Sequence, residues 1–201
     1  MPSPLIEGAV HPWRISNPST VALGGAPQSR AQELFRFEFT SEGPKTLTVT
    51  ESNSGLRFID PNGVQETSYN RTVSLNSHLI VKSVNPDGIT VIDWNTKTLR
   101  GRLPQSAFNK LKKLTQFYCS SNQLTGWDGG TVSATLGNFQ AQDNQLPADT
   151  INALLAAFVA AGRNSGTCGL NLGGTGNAAP TGQGLIDKAT LISRGWTVTT
   201  N

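Results

Sequence analysis

A 22-residue repeat in the second half of the chain constrains the fold more than any other feature. Residues 111–124 carry the pattern Leu-x-x-Leu-x-x-Phe-x-Cys-x-x-Asn-x-Leu, and residues 132–146 carry a second copy with the same apolar grid. The two copies place Asn122 and Asn144 in equivalent positions. An apolar pattern that recurs at this period indicates stacked units, because each unit buries its apolar edge only against its neighbours.

Similar apolar pairs predict five stacked strands: Ile92-x-Trp94, Phe117-x-Cys119, Phe139-x-Ala141, Leu170-x-Leu172 and Trp196-x-Val198. Helical patterns connect them at 104–111, 148–161 and roughly 184–194. In the second pattern, apolar residues from Ile151 to Val159 follow the spacing of one helix face. In the third, Leu185, Ala189 and Ile192 share a face, and Gly195 is a typical helix-ending residue.

The segment before the stack has two parts. Residues 1–30 are rich in Pro, Ser and Gly and show neither a helical nor a strand period, which predicts an extended N-terminal arm. The alternation of apolar and polar residues in 35–39 and 47–50 is typical of half-buried strands, and it predicts a small antiparallel β unit over 31–87. Candidate residues for docking the arm on a partner are Leu5, Ile6, Val10, Trp13, Arg14 and Ile15.

The segment Leu114-Thr-Gln-Phe-Tyr-Cys-Ser-Ser-Asn122-Gln-Leu-Thr-Gly126 resembles a bacterial-type leucine-rich repeat. In that family the Asn side chain bonds the backbone of the turn; Asn122 and Asn144 match this position, Thr175 stands there in the fourth unit, and Asn201 returns to it. The stretch 176–198 resembles the last repeat of leucine-rich proteins of bacteria and tailed bacteriophages.

The residue patterns, together with this resemblance for the second half, predict an α/β fold in three parts. An extended N-terminal arm (1–30) precedes a small antiparallel β unit (31–87), which caps a short leucine-rich-repeat solenoid with parallel strands and convex helices (88–201). The capping role is expected because the apolar edge of the first repeat would otherwise face water.

The inventory of reactive side chains argues against an enzyme. The two histidines, His11 and His78, fall in the arm and beside an apolar strand, and no metal set can be built from them with two cysteines. Cys119 and Cys168 fall about two strand spacings, or about 9.5 Å, apart, beyond the roughly 7 Å that a disulfide spans. We therefore expect two free thiols, a buried Cys119, no catalysis, no metal and no cofactor.

An acid-free stretch contains six basic residues: Lys97, Arg100, Arg102, Lys110, Lys112 and Lys113. A solvated surface is the favoured interpretation of this basic patch, and a site for an acidic partner is the alternative. Nucleic acid is not expected, because the nearby apolar residues are better explained as core than as aromatics interleaved with a binding surface.

Residues that flank the inward strand positions point outward, onto the concave face of the predicted solenoid. Amides and hydroxyls dominate this set, which suits a sugar or a polar protein surface. The alternative is that such polar ladders only keep an exposed sheet soluble. The concave-face residues are Asp93, Gln116, Tyr118, Ser120, Asn138, Gln140, Gln142, Asn171, Thr197 and Thr199.

These features predict a non-enzymatic virion structural protein. Charged residues make up only 14% of the chain, the start lacks a secretion signal, and no apolar run is long enough to cross a membrane. We expect a multi-copy or oligomeric capsid decoration or cement module, assembled in the host cytoplasm and docked by its arm on the major capsid protein or another virion protein. The alternative is a receptor-binding or adhesive module of a phage tail or bacterial surface, whose concave face binds glycan or protein.

Overall fold

The computed structural model describes residues 31–52, 55–66, 68–164 and 167–201, and within them it has thirteen β-strands and three α-helices. The helices are α1 (Gln105–Phe108), α2 (Ala148–Ala161) and α3 (Gln183–Ser193), and a one-turn 3-10 helix spans Pro86–Gly88. The strands are β1 (Gln32–Phe39), β2 (Gly43–Glu51), β3 (Arg57–Asp60), β4 (Gly63–Glu66), β5 (Tyr69–Val73), β6 (His78–Ser83), β7 (Ile89–Asp93), β8 (Leu99–Leu103), β9 (Gln116–Tyr118), β10 (Gln123–Trp127), β11 (Asn138–Gln140), β12 (Cys168–Asn171) and β13 (Trp196–Thr199).

The strands form two mixed sheets that share one hydrophobic core. The seven-strand sheet has the order β13-β12-β11-β9-β7-β2-β5, in which the first five strands are parallel and β2 and β5 are antiparallel to their neighbours. The six-strand sheet has the order β10-β8-β1-β6-β3-β4, in which only β8 and β10 form a parallel pair. The chain therefore passes to the six-strand sheet after β7 and after β9, whereas β11 and β12 are followed by helices α2 and α3 and by the next strand of the same sheet.

The predicted fold class, an antiparallel cap followed by a helix-decorated leucine-rich-repeat solenoid, is wrong. Strands β1 and β2 do not lie together over the end of the stack: β1 pairs with β8 in one sheet and β2 pairs with β7 in the other. The described part of the chain also lacks a regular outer layer of helices, because α1 is a single turn and the connection from β10 to β11 contains none. The apolar alternation of β1 and β2 was visible in the sequence, but alternation does not specify which strand is the partner.

An aromatic column runs through the shared core. Phe35 on β1 contacts Phe117 on β9 with ring centroids 6.0 Å apart, and Phe117 stacks on Phe139 at 5.4 Å. Phe139 contacts Phe158 on α2 at 5.4 Å, and Phe158 contacts Trp196 on β13 at 5.3 Å. All five side chains are buried, so the column joins the antiparallel strands to the last strand of the parallel stack.

The two longer helices differ in how they use their apolar residues. Helix α2 spans the predicted residues and buries Ile151, Leu154, Leu155 and Phe158 against the sheets. Helix α3 buries Gly184, Asp187 and Leu191 instead of the predicted face. Leu185 and Ile192 are 54% and 50% exposed, because α3 is the last helix and its outer side has no neighbour within the described residues.

A ladder of asparagine side chains, formed by Asn122, Asn144, Asn177 and Asn201, holds the turns between the two sheets. The Asn144 amide nitrogen donates to the carbonyls of Cys119, Ala141 and Gln142 at 3.0–3.3 Å, and its oxygen accepts the Leu124 N–H at 3.0 Å. Asn122 and Asn177 make the equivalent bonds one turn away on either side. Each buried turn thus satisfies its polar groups through one side chain.

The ladder position in the fourth repeat unit corrects the sequence alignment. Asn177 occupies it, rather than Thr175, because this turn contains two more residues than the turns before it. The residue that opens each turn has a left-handed backbone, at Thr96, Ser121, Asp143 and Gly174 with φ of 56°, 53°, 55° and 85°. Backbone bonds also join these positions from turn to turn, from Thr96 N–H to Ser120 and from Ser121 N–H to Gln142.

Replacing Asn144 by alanine should lower the free energy of unfolding by about 3 kcal/mol, because three carbonyls and one N–H would lose a partner in a site that is 2% exposed. Urea unfolding followed by circular dichroism measures the loss. The control is Gln145→Ala at the exposed neighbouring position, which should change the free energy by less than about 0.5 kcal/mol. Equal effects of the two substitutions would contradict the role of the ladder.

Candidate binding face on the seven-strand sheet

The outward side chains of the seven-strand sheet form a long polar surface, here called the amide–hydroxyl face. Cross-strand register aligns two rows of six residues on β2, β7, β9, β11, β12 and β13. The first row is Thr48, Asp93, Tyr118, Gln140, Asn171 and Thr199, and the second is Thr50, Val91, Gln116, Asn138, Gly169 and Thr197. The face continues beyond these rows to Thr46 on β2 and to Asn70 and Thr72 on β5.

Side-chain hydrogen bonds fix the centre of this face. The Gln140 amide donates to the Asn138 oxygen at 3.3 Å, and the Asn138 amide donates to the Tyr118 hydroxyl at 3.1 Å. The Tyr118 hydroxyl donates to the Gln116 oxygen at 3.0 Å. One of these bonds joins β11 to β9 and the other two lie within each strand. The four side chains are thus held in place before any partner arrives, which lowers the entropy cost of binding.

Asp93 is the one charged side chain on the two rows, and it lies in register with Tyr118. Burial raises the pKa of the Tyr118 phenol, and the negative charge of Asp93 raises this pKa further. Tyr118 therefore remains a neutral hydrogen-bonding group on this face well above neutral pH.

The outer surface of the six-strand sheet is built in a different way. Its outward residues include Glu33, Arg36, Glu38, Arg57, Lys82, Arg100 and Arg102. Arg36 pairs with Glu33 at 3.1 Å, Arg100 pairs with Glu38 at 2.6 Å, and Arg102 pairs with Asp128. One chain thus keeps one exposed sheet soluble with alternating charges and covers the other sheet almost entirely with neutral polar groups.

Eight of the ten predicted concave-face residues lie in the two rows of the amide–hydroxyl face. The other two, Ser120 and Gln142, lie in the turns. Ser120 is buried, and both its backbone N–H and its hydroxyl donate to the Asn95 oxygen at 2.8 and 2.6 Å. Gln142 accepts the Ser121 N–H through its backbone carbonyl. The strands end at Tyr118 and Gln140, two residues earlier than the sequence pattern suggests, and left-handed residues follow at Ser121 and Asp143.

Sequence reasoning missed the part of the face that lies on β2 and β5. Alternation in Thr46-Leu-Thr48-Val-Thr50 marks three outward threonines, but it does not show that β2 pairs with β7 and continues the parallel stack. Gly169 and Val91 were missed because neither is a polar residue.

The predicted basic patch is not one surface. Arg100 and Arg102 form the ion pairs of the six-strand sheet, whereas Lys110, Lys112 and Lys113 follow α1 in a loop. Lys97 lies in the first turn, where its backbone N–H donates to Asn122. The six predicted arm residues, from Leu5 to Ile15, lie outside the described residues.

A groove borders the amide–hydroxyl face where strands β9, β11 and β12 begin. Its lining includes Gln116 and Asn138 from the second row, together with Thr135, Thr167 and Arg163. The Arg163 guanidinium donates to the Thr135 carbonyl at 2.7 Å and to the Cys168 sulfur at 3.0 Å. Gly137 leaves the space that this guanidinium occupies, since an added Cβ would lie 2.9 Å from it.

The described residues contain no group of three His, Cys, Asp or Glu side chains that could hold a metal ion. Cys119 and Cys168 are both buried and form no disulfide, and burial raises the pKa of Cys119, as expected for a small core residue. The buried carboxylate of Asp60 accepts hydrogen bonds from Tyr69 at 2.6 Å and Arg71 at 3.3 Å, so we interpret it as a group that stabilises the fold.

No helix in the described part of the chain has the length and apolarity needed to span a bilayer.

Comparison of the chain with family models, with curated proteins and with solved structures found no match.

The chain has two tyrosines, Tyr69 and Tyr118, which makes the coupling between Asp93 and Tyr118 measurable. Replacing Asp93 by asparagine should lower the pKa of Tyr118 towards that of free tyrosine, because a nearby negative charge opposes phenolate formation. Ultraviolet titration of the folded protein follows the change. The Tyr118→Phe variant identifies which titration step belongs to Tyr118, because it leaves only Tyr69. The pKa of Tyr69 is raised by burial and by its bond to Asp60. An unchanged titration in Asp93→Asn would show that the two groups do not interact.

Proposed function

We propose that this chain is a non-enzymatic binding protein of a virion and that the amide–hydroxyl face holds its partner. The observation that carries the proposal is the contrast between the two outer surfaces. The six-strand sheet shows that this chain can keep an exposed sheet soluble with charges, so solubility alone does not explain why the other sheet lacks them. Binding does explain it, because covering a charge is costly unless the partner supplies its counter-charge.

The order of the face adds to this argument. Gln116, Tyr118, Asn138 and Gln140 already bond to one another, so a partner meets fixed donors and acceptors rather than mobile side chains. The rows extend over six strands, which is about 24 Å at the usual strand spacing. A surface of this length suits an extended polar partner, such as a surface glycan or the polar side of another protein.

The virion location is supported by the sequence. The stretch 176–198 resembles the last repeat of leucine-rich proteins of bacteria and tailed bacteriophages, and the chain has the low charge common in virion proteins. We propose further that the segment 1–30 docks the protein on the major capsid protein or another virion protein. The isolated apolar residues of that segment, among them Leu5, Ile6 and Trp13, would supply the contacts.

Replacing Tyr118 by alanine should weaken adsorption of the labelled protein to host cells at least about tenfold, equivalent to about 1.4 kcal/mol. The change removes the one aromatic ring of the two rows and breaks the bonds to Gln116 and Asn138. Gln140→Ala should also weaken adsorption. Adsorption of Tyr118→Phe should lie between that of the unaltered protein and that of Tyr118→Ala, because this substitution keeps the ring. The control is Thr125→Ala on the charged sheet. Unchanged adsorption in both alanine variants would refute the role of the face.

Deleting residues 2–30 should abolish attachment of the protein to particles while leaving its circular dichroism spectrum unchanged. Purified particles that lack the protein, mixed with the full-length or the truncated chain and sedimented, provide the measurement. Attachment of the truncated chain at the full-length level would show that residues 1–30 do not dock it.

A further inference from the structure

Gly169 leaves a notch in the amide–hydroxyl face. It lies outward in the middle of β12, in register with Asn138 on β11 and Thr197 on β13. Every other position of the two rows carries a side chain. The nearest atom to a Cβ added at Gly169 would be the Asn138 oxygen at 3.5 Å, which is an ordinary contact. A side chain would therefore fit, and its absence opens a space between three strands.

The backbone does not require glycine at this position. Gly174 and Gly176, a few residues later, have φ of 85° and 94°, whereas Gly169 is not among the residues with positive φ. Glycine inside a strand weakens it, since it adds backbone entropy to the unfolded chain and contributes no packing. A glycine that neither conformation nor space demands is typical of a place where another molecule approaches the strand closely.

The groups around the notch are neutral hydrogen-bonding groups. Asn138 is held by its bonds to Gln140 and Tyr118, and the Asn171 oxygen accepts the Gly173 N–H at 3.2 Å. Thr197 and Thr199 border the notch on the last strand. The outward residues of β11, β12 and β13 include no acid and no base. The Arg163 guanidinium lies in the bordering groove, where it donates to the Cys168 sulfur and the Thr135 carbonyl.

We infer that the notch at Gly169 is a subsite for a neutral saccharide, an inference that rests on the proposed function of the face. Sugar hydroxyls both donate and accept, and so do the amides and hydroxyls that border the notch. Tyr118 lies two strands away, about 10 Å at the usual spacing, where its ring can pack against a neighbouring sugar. A protein partner fits less well, because interface cores are usually rich in apolar and aromatic residues and the two rows contain only Val91 and Tyr118.

The test compares the full-length protein with Gly169→Ala on an array of neutral and acidic oligosaccharides, followed by calorimetry with the strongest ligand. We expect binding to neutral glycans and at least a tenfold loss of affinity in Gly169→Ala, because the added methyl group fills the notch. The melting temperature should stay the same or rise, which separates this loss from misfolding. Thr197→Ala should also weaken binding, and the control Thr125→Ala, at an exposed position on β10 of the six-strand sheet, should not.

Each contrary result has a distinct meaning. Undiminished glycan affinity in Gly169→Ala would overturn the notch as a subsite, even if Tyr118→Ala still reduces adsorption. Binding to acidic oligosaccharides alone would overturn the ligand class and favour the groove with Arg163. Adsorption that depends on Tyr118 without binding to any glycan would identify a protein partner and overturn the inference while the proposed face stands. If neither Tyr118→Ala nor Gly169→Ala changes adsorption or glycan binding, both the inference and the proposed function fail.

Discussion

The asparagine ladder is the interaction on which the rest of the structure depends. At each turn the chain leaves the seven-strand sheet and enters the space above the shared core, where water cannot reach its carbonyls and N–H groups. A single amide side chain satisfies up to five of them, as Asn122 does. The left-handed residue before it turns the chain towards the other sheet. Asn122, Asn144 and Asn177 each accept a backbone N–H from the neighbouring turn, which helps to hold the parallel strands, and so the outward residues, in register.

That alignment gives the molecule two unlike surfaces from one core. Inward positions are filled by Leu, Ile, Phe and Trp on both sheets, so burial places no constraint on the outward residues. On the six-strand sheet these are arginines and acids in pairs, which contribute little to stability when exposed. On the seven-strand sheet they are mostly threonines, asparagines and glutamines, and four residues at its centre are bonded to one another. The difference lies entirely in groups that folding does not need, which is why we assign it to binding.

The sequence predicted the local features of this molecule and failed on its long-range pairing. Periodicity located the inner residues Phe117, Phe139 and Leu170, which lie in register on adjacent parallel strands, and it located α2. It did not predict that β1 and β2 separate into different sheets, because alternation marks a strand without naming its partner. It misplaced the ladder position of the fourth repeat unit, where two additional residues precede Asn177. Eight face residues followed from alternation, whereas Gly169 could be recognised only once its neighbours were known.

The aromatic column from Phe35 to Trp196 has a consequence for how the molecule comes apart. Repeat proteins whose units touch only their neighbours tend to lose structure piecemeal, starting at an end. Here ring contacts connect the antiparallel strands to the final strand through Phe117, Phe139 and Phe158, and both sheets close over the same interior. Unfolding of one strand would expose aromatic rings that pack against the next strand. We therefore expect a single cooperative unfolding transition, with the binding surface intact until the whole domain unfolds.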